Sequence, residues 1–231
     1  MELTEIKENI FIVEKWNAEY LEVLSLQEKA LELVRENPKW SIFILCNHPN
    51  CFTLGRGLQR AQEFNLLEFD PNLKDRLPFP LYEIKRGGGL TFHHPGQWVL
   101  YPIINLNKKN LDVYKIMKTC LSLTQRILEE KFQIKDLSHE EKLLGLWHNK
   151  ERKVASIGLA VSHFVTYHGI SLNIVPNQAM AQALKMVNPC GLPGEIYQEV
   201  ESISPIKVEN PVYQFNESFK ELIISEFSKI L

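Results

Sequence analysis

The sequence lacks the features that mark membrane and nucleic-acid-binding proteins. No apolar run approaches the roughly 20 residues of a membrane-spanning helix, so we expect no membrane segment. The 26 lysines and arginines nearly balance the 28 aspartates and glutamates, which leaves a net charge of -2. So small a charge creates no overall field that would attract nucleic acid or an anionic membrane. Internal repeats, low-complexity tracts and linker-like segments are also missing, and we expect a single domain over residues 1–231.

Cysteine is scarce as well, and its spacing excludes two common uses. Cys46, Cys51, Cys120 and Cys190 form no Cys-x-x-Cys pair and no zinc-finger spacing. The N-terminus shows neither a signal peptide nor the arginine-rich character of a mitochondrial transit peptide, so we expect reduced thiols in the cytoplasm. No His-x-His or His-x-x-x-His pair with a nearby acid occurs, and we expect no metal or other cofactor.

The apolar residues predict helices and strands in separate groups. With 45% hydrophobic residues the chain can bury a sizeable core. Helices are predicted over residues 17–37, 111–132, 178–185 and 212–231, the first with Asn17 as its N-cap. Strands are predicted over residues 41–46, 81–85, 98–106, 144–148, 153–161 and 164–174, the last three as a meander. This order indicates an α+β fold with a mostly antiparallel or mixed sheet.

A glycine-rich stretch, residues 85–97, is the first candidate for a functional site. Three consecutive glycines follow a strand-like run, and a threonine, two histidines and a Pro-Gly turn come after them. Because glycine has no Cβ, a ligand can lie directly against its backbone amide, and histidine exchanges protons near neutral pH. We therefore predict a ligand site here; a glycine-rich hairpin that binds nothing is the alternative.

Cysteine and lysine side chains suited to covalent and acid–base chemistry follow later in the chain. Cys190 lies in a Pro-Cys-Gly turn that leaves its thiol uncrowded, whereas Cys46 and Cys120 lie in apolar settings typical of inert core thiols. Cys51 lies near a turn, and we expect it to be exposed. Lys153 begins a strand of apolar and small residues, where partial loss of hydration would lower the pKa of its ammonium and make it a usable base. A plain turn cysteine and a solvated lysine are the alternatives.

His168 lies within a predicted strand. Period-two alternation places its side chain on the same face as Ile170 and opposite Tyr167. A hydrogen-bonded structural histidine is the alternative to a ligand-binding one.

Taken together, these stretches resemble the lipoyl(octanoyl) transferase family, the octanoyltransferases that begin protein lipoylation. The resemblance spans about residues 40 to 205, most of the chain. It rests on four motifs in the family's order: Arg86-Gly87-Gly88 with Thr91-Phe92-His93 and Pro95-Gly96-Gln97; Lys153-Val154-Ala155-Ser156-Ile157-Gly158; Tyr167-His168-Gly169-Ile170-Ser171-Leu172-Asn173; and Asn188-Pro189-Cys190-Gly191. Each motif alone is weak, but four in the right order are specific.

The resemblance implies a fold like that of biotin and lipoate protein ligases, a mixed sheet flanked by helices with a small second sheet. It implies transfer of an octanoyl group from octanoyl-acyl carrier protein to a lysine of lipoyl domains, in E2 subunits of 2-oxoacid dehydrogenases and in glycine cleavage H protein. Cys190 would be the nucleophile and Lys153 its proton-transfer partner. The matched residues that would line the acyl site are Arg86, Gly87, Gly88, Gly89, Leu90, Thr91, Phe92, His93, Ser156, Ile157, Gly158, His168, Gly169 and Ile170.

The same resemblance carries expectations about partners. We expect a monomer. Because acyl carrier protein is strongly acidic, we also expect a basic patch at the pocket mouth that includes Arg56, Arg60 or Arg86.

Two residues depart from the family pattern. His94 replaces a glycine that is usual there, and it would be strained if that position needs a positive φ. Phe92 stands where tyrosine is common, a change that removes a hydroxyl and little else.

Three other functions remain open on the sequence. An ATP-dependent lipoate or biotin protein ligase would share the fold, although a Pro-Cys-Gly unit has no purpose in adenylation. An amidotransferase that moves octanoyl between lipoyl domains would also use a cysteine. A non-catalytic acyl-protein binding module is the third, and the presence of both Cys190 and Lys153 argues against it.

Overall fold

The structure is a computed structural model that describes residues 1–56, 77–108, 111–139, 144–186 and 196–231. Its strands are β1 (Thr4–Lys7), β2 (Ile10–Lys15), β3 (Ser41–Cys46), β4 (Cys51–Leu54), β5 (Leu81–Glu83), β6 (Leu90–His93), β7 (Gln97–Ile104), β8 (Leu137–His139), β9 (Gly145–His148), β10 (Arg152–Ser162) and β11 (Val165–Asn173). Its α-helices are α1 (Tyr20–Glu36), α2 (Val113–Lys131), α3 (Gln178–Met186), α4 (Val200–Ile203) and α5 (Pro211–Ser225).

Within the described residues the strands form two sheets. The large sheet has the order β1-β2-β3-β7-β11-β10-β9-β8, and the small one has the order β5-β4-β6. β2 and β3 run parallel, as do β4 and β5, and the other pairs are antiparallel. The predicted mixed sheet with a small second sheet is confirmed. The predicted meander is also confirmed, as β9, β10 and β11.

The best-predicted elements are those with a clear apolar pattern, either continuous or periodic. All six residues of β3 are buried, as the continuous apolar run indicates, and β3 lies inside the large sheet. The helix predicted over residues 111–132 is α2, and its N-cap is Asp112, whose side chain accepts a hydrogen bond of 2.6 Å from the amide of Lys115. Its buried face includes Ile116, Cys120 and Ile127, which follow the 3.6-residue period.

Helices cover both faces of the large sheet and one face of the small one. The largest core cluster joins one face of the large sheet to α2 and α5. A second cluster joins the opposite face to α1, through Val23, Ala30 and Val34. A smaller cluster joins Leu90 and Phe92 of the small sheet to α3. The site described below lies where the small sheet, α3 and the large sheet meet.

Two expectations about local structure are wrong. Asn17 does not cap α1: it has φ 51°, and its amide donates to the side chain of Asn47, so the chain turns before the helix begins at Tyr20. Cys51 is not exposed, because it begins strand β4. It is 4% exposed, and burial raises the pKa of its thiol to about 12.

Candidate active site

Arg86 anchors the glycine loop from within. Its side chain is buried, and one guanidinium nitrogen donates to the carbonyl and hydroxyl of Thr53, both at 2.9 Å, and to the hydroxyl of Thr91 at 2.7 Å. The other terminal nitrogen donates to the carbonyl of Gly87 at 2.9 Å. Gly88 takes φ 79°, a conformation that favours glycine. Arg86 therefore fixes the loop and offers no surface charge, so its expected place in a docking patch is wrong.

Two glycines bring the loop against the large sheet. The amide of Gly87 donates to the carbonyl of Leu159 in β10, at 3.2 Å. A Cβ at Gly158 would lie 2.7 Å from the carbonyl oxygen of Gly87, closer than backbone atoms allow. The sequence Ser-Ile-Gly thus permits the two sheets to meet at this point.

A buried chain of hydrogen bonds runs from Arg86 through the small sheet into the large one. The hydroxyl of Thr53 accepts from Arg86 and lies 3.3 Å from Nε2 of His93. Nδ1 of His93 donates to Oε1 of Gln97 at 2.7 Å, and the Gln97 amide nitrogen donates to Oδ1 of Asn173 at 2.8 Å. Burial holds the pKa of His93 well below its usual 6.5, so the ring is neutral.

This chain of hydrogen bonds ends at a small cleft that is open to solvent. Its lining contains both polar and apolar side chains, and α3 contributes two of the apolar ones. The lining residues are Thr91, Phe92, Gln97, Ser156, Ser171, Asn173, Met180, Leu184 and Tyr197. Three of these, Thr91, Phe92 and Ser156, belong to the predicted acyl site.

Sequence reasoning missed the other six lining residues. Ser171 and Asn173 are polar residues two apart in β11, and a period-two reading would have placed them on one face. Gln97, Ser171 and Asn173 all belong to motifs that carry the family resemblance, but the sequence alone did not indicate that they line a cleft. Tyr197 has no local pattern that marks it.

Lys153 lies beside this cleft and is 5% exposed, so the alternative of a solvated lysine is wrong. It pairs with Trp147 across β9 and β10, and its ammonium nitrogen is 5.4 Å from the centre of that ring. Its carbonyl accepts from the amide of Gln198 at 3.0 Å, and a parallel bridge joins it to Tyr197, a cleft residue. Ser156, three residues further along β10, also lines the cleft.

Cys190 and Arg60 lie outside the described residues. The described chain on either side of Cys190 does contact the cleft: Leu184, six residues before it, and Tyr197, seven residues after it, are both lining residues.

The remaining predicted site residues lie around the cleft rather than on its lining. Leu90 packs under α3 in the small core cluster, and Ile157 and Ile170 belong to the large core cluster. Gly89 accepts a hydrogen bond from the amide of Gly55 at 3.1 Å. A Cβ at Gly169 would collide with the carbonyl of Leu100 in β7, so strand packing alone requires that glycine.

His168 departs from the alternation expected of its strand. It takes φ 57°, and its ring lies 4.6 Å from that of Tyr167 and 6.3 Å from that of Tyr101, on the α1 side of the sheet, whereas Ile170 packs in the α2 side. The expected shared face of His168 and Ile170 is therefore wrong. Burial, and then the charge of Arg86, lower the pKa of His168 to about 3.

His94 is not strained, because it is not among the residues with a positive φ. Its side chain is fully buried, Nδ1 accepts from the amide of Gly96 at 3.2 Å, and burial lowers its pKa to about 4. Its ring stacks on that of Phe92, with ring centres 6.3 Å apart. The histidine that replaces the usual glycine is thus a neutral part of the turn behind the cleft.

Two absences hold for the residues that the structure describes. None of their histidine, cysteine, aspartate and glutamate side chains form a group of three or more able to hold a metal ion. No helix among them is long and apolar enough to cross a membrane.

Sequence comparisons show that the chain is similar to octanoyltransferases. The family described as lipoyl protein ligase A/B catalytic domain matches residues 19–228. An octanoyltransferase of Desulforamulus reducens is 34% identical over 187 residues, 79% of this chain and 76% of the relative. One from a Thermoanaerobacter species is 32% identical over 91% of this chain and 85% of its own. A chloroplastic octanoyltransferase of Arabidopsis thaliana is 30% identical over 85% of this chain and 71% of its own.

Solved structures share the fold at low sequence identity. Lipoate-protein ligase A bound with ATP superposes with a TM-score of 0.61 at 13% identity, over 94% of this chain and 85% of its own. A bipartite lipoate protein ligase of Thermoplasma acidophilum, studied with its E2 lipoyl domain, gives 0.57 at 13% identity over 94% and 83%. A Leishmania major biotin protein ligase gives 0.50 at 11% identity over 97% and 82%.

The chain has the fold of lipoate and biotin protein ligases, as the sequence predicted. The anchored glycine loop and the cleft beside Lys153 lie where its two sheets meet. Within that class, the chain belongs to the lipoyl protein ligase A/B catalytic domain family, in which the relatives named above are octanoyltransferases. It is an enzyme, a transferase of this family.

Proposed function

We propose that the enzyme transfers an octanoyl group from octanoyl-acyl carrier protein to a lysine of a lipoyl domain, through a thioester on Cys190. In the first half, the Cys190 thiolate attacks the thioester carbonyl and the carrier thiol leaves, taking a proton from the Lys153 ammonium. In the second half, the acceptor amine attacks the enzyme thioester, loses a proton to Lys153 and forms the amide, which frees Cys190. A covalent intermediate lets two protein substrates use one site in turn, and no ATP is consumed.

The observation that carries this proposal is the position of Lys153. It is buried at the start of β10 and is bridged to Tyr197 of the cleft. In the sequence, Cys190 follows Leu184 by six residues and precedes Tyr197 by seven, and both of these residues line the cleft that Lys153 adjoins.

The cleft supports an acyl chain as the group transferred. Its lining includes the largely apolar side chains of Phe92, Met180, Leu184 and Tyr197. At about 0.8 kcal/mol per buried CH₂, an eight-carbon chain gains roughly 5 kcal/mol on burial, enough to hold it in place.

The acceptors that we propose are lipoyl domains of E2 subunits and of glycine cleavage H protein. The relatives named octanoyltransferases and the archaeal ligase studied with its E2 lipoyl domain support this class of acceptor. We propose that the enzyme works as a monomer in the cytoplasm.

The test compares donors in a transfer assay with an isolated lipoyl domain, followed by mass spectrometry of the acceptor. We expect octanoylation with octanoyl-acyl carrier protein and no dependence on ATP. Octanoylation only with free octanoate or lipoate and ATP would show a ligase, and transfer only from octanoylated H protein would show an amidotransferase. No transfer from any donor would leave a binding module.

The same assay tests the role of Lys153. Lys153→Met removes the proton donor, so we expect transfer to fall by about 100-fold or more, in the range of general acid–base catalysis. Lys150→Met is the matched control, because Lys150 is an exposed lysine in the turn before β10. Equal rates for the two variants would contradict the assignment.

A further inference from the structure

Trp147 contacts the Lys153 side chain from the neighbouring strand. The two residues are a direct cross-strand pair of β9 and β10, so their side chains lie on one face of the sheet. Both are almost fully buried, at 3% and 5% exposed. The ammonium nitrogen is 5.4 Å from the ring centre, within the distance at which an aromatic face attracts a cation.

Two backbone features bring the Lys153 side chain to this place. The pairing of β10 with β9 is irregular between Lys153 and Ala155, and such bulges redirect side chains next to active sites. Across the strand, a Cβ at Gly145 would lie 2.6 Å from Cε of Lys153 and 3.4 Å from its ammonium nitrogen. The lysine stem therefore occupies space that any other residue at position 145 would fill.

We propose that Trp147 is a positioning residue for Lys153, and that its indole face stabilises the protonated ammonium next to the cleft. This inference rests on the proposed function, in which Lys153 must hold a proton opposite the Cys190 thiolate. A buried ammonium loses its hydration, and the negative face of the indole replaces part of that loss without supplying a competing base. A carboxylate in the same place would hold the proton too strongly for transfer.

Other titratable groups lie on the elements beside Lys153. His148 is on β9, Arg152 is on β10, and His139 of β8 pairs with Leu146 of β9. In the segment that precedes α4, Tyr197 forms a β-bridge with Lys153. Glu199 follows Tyr197 by two residues. All of them are retained in the variants below, so a change in proton affinity between variants reports on the indole.

The test is the pH dependence of kcat/KM for octanoyl transfer by wild type, Trp147→Leu and Trp147→Phe. Loss of the aromatic face disfavours the ammonium, so we expect the alkaline limb of Trp147→Leu to move down by about 0.4 to 1.5 pH units. Trp147→Phe keeps a ring and should restore most of that shift. Trp40→Leu, at a partly buried tryptophan of the α1-side cluster, is the matched control and should leave the limb in place. An alkaline limb unchanged in Trp147→Leu would overturn the proposal, even with a lower rate.

A second readout does not depend on turnover. Trace acetylation with acetic anhydride across a pH series, with mass spectrometry of the peptide that carries Lys153, gives the pH at which its amine becomes reactive. We expect this midpoint to move down in Trp147→Leu and to stay in place in Trp40→Leu, and equal midpoints would overturn the proposal. If the midpoint moves while wild type forms no Cys190 thioester, the contact stands and the proposed function fails.

Discussion

Four histidines lie in the interior near the site, and burial keeps each of them neutral. His48 and His94 have pKa values lowered to about 4, His168 to about 3, and His93 lies well below its usual range. His48 shows how such a ring is held: one nitrogen lies 2.9 Å from the carbonyl of Ala18 and the other 3.0 Å from a tyrosine hydroxyl. Of the four, His93 and His94 act near the site as uncharged hydrogen-bonding groups, His93 towards Thr53 and Gln97 and His94 towards the amide of Gly96.

Their burial predicts a loss of stability in mild acid. The unfolded chain, with histidine pKa values near 6.5, takes up protons below that pH, whereas the folded chain does so only near pH 4. The free energy of unfolding should therefore fall as the pH drops from about 6.5 to 4, by up to about 1.4 kcal/mol per pH unit for each histidine.

Urea unfolding at a series of pH values measures this slope. His94→Asn keeps an acceptor for the amide of Gly96. It removes one histidine that takes up a proton on unfolding, so the slope should fall by up to about 1.4 kcal/mol per pH unit. The same slope in His94→Asn and wild type would show that His94 is not neutral in the folded protein.

Single residues were predictable where their chemistry is visible in the sequence. The glycines, Lys153 and Cys190 stand out by type and spacing, and Thr91, Phe92 and Ser156 do line the cleft. Tyr197 is 44 residues after Lys153 in the sequence. Only the pairing of their backbones in the folded protein brings Tyr197 to the cleft. Arg86 was taken for a surface charge because its partners, Thr53 and Thr91, are brought to it only by folding.

At the scale of elements, the glycine loop acts as a joint between the two sheets. It is held from the small sheet by Arg86, and from the large sheet by the bond between Gly87 and Leu159. The approach of Gly158 to Gly87 leaves no room for a side chain on β10. The separation of the two sheets at the cleft thus depends on a glycine in the middle of a strand.

Gly158→Ala should therefore destabilise the protein and reduce transfer. A Cβ there meets the Gly87 carbonyl at 2.7 Å, and overpacking of this kind costs about 1 to 3 kcal/mol. Gly87→Ala is the matched control for stability, because a Cβ at that position meets its nearest atom at an ordinary 3.5 Å. Thermal unfolding of both variants measures the difference. If they melt alike, the close approach of the two sheets has been overstated.

Elements with a clear apolar pattern were predictable, and several short strands were not. β3, α2 and the meander of β9 to β11 follow directly from apolar patterning. β1 and β8 lie at the two edges of the large sheet, are only four and three residues long, and carry too short a pattern to predict. The pairing order of the strands is set by long-range contacts that no local pattern contains.

For the whole molecule, we propose that residues 1–231 form one domain with its docking surface at the glycine loop. With a net charge of -2, recognition of an acidic carrier protein must come from local charge. Arg56 and Lys85 are exposed and flank the buried Arg86, whose carbonyl accepts from the amide of Arg56 at 3.0 Å. These two residues replace Arg86 as the proposed basic patch.

Charge reversal at this patch should weaken recognition of the donor. Arg56→Glu with Lys85→Glu should raise KM for octanoyl-acyl carrier protein by about tenfold and reduce its salt dependence, with little change in kcat. The control is Lys118→Glu with Lys131→Glu on the exposed side of α2, across the large sheet. Steady-state kinetics at two salt concentrations distinguish the two pairs. An equal KM in both double variants would place the docking surface elsewhere.

The most direct test of the account is the intact mass of the enzyme after incubation with octanoyl-acyl carrier protein. We predict a gain of one octanoyl group in wild type that hydroxylamine removes and that is absent in Cys190→Ala. Cys120→Ala, at a buried thiol of α2, should keep the adduct. An octanoyl adduct that persists in Cys190→Ala, or transfer by wild type without any adduct, would contradict a thioester on Cys190.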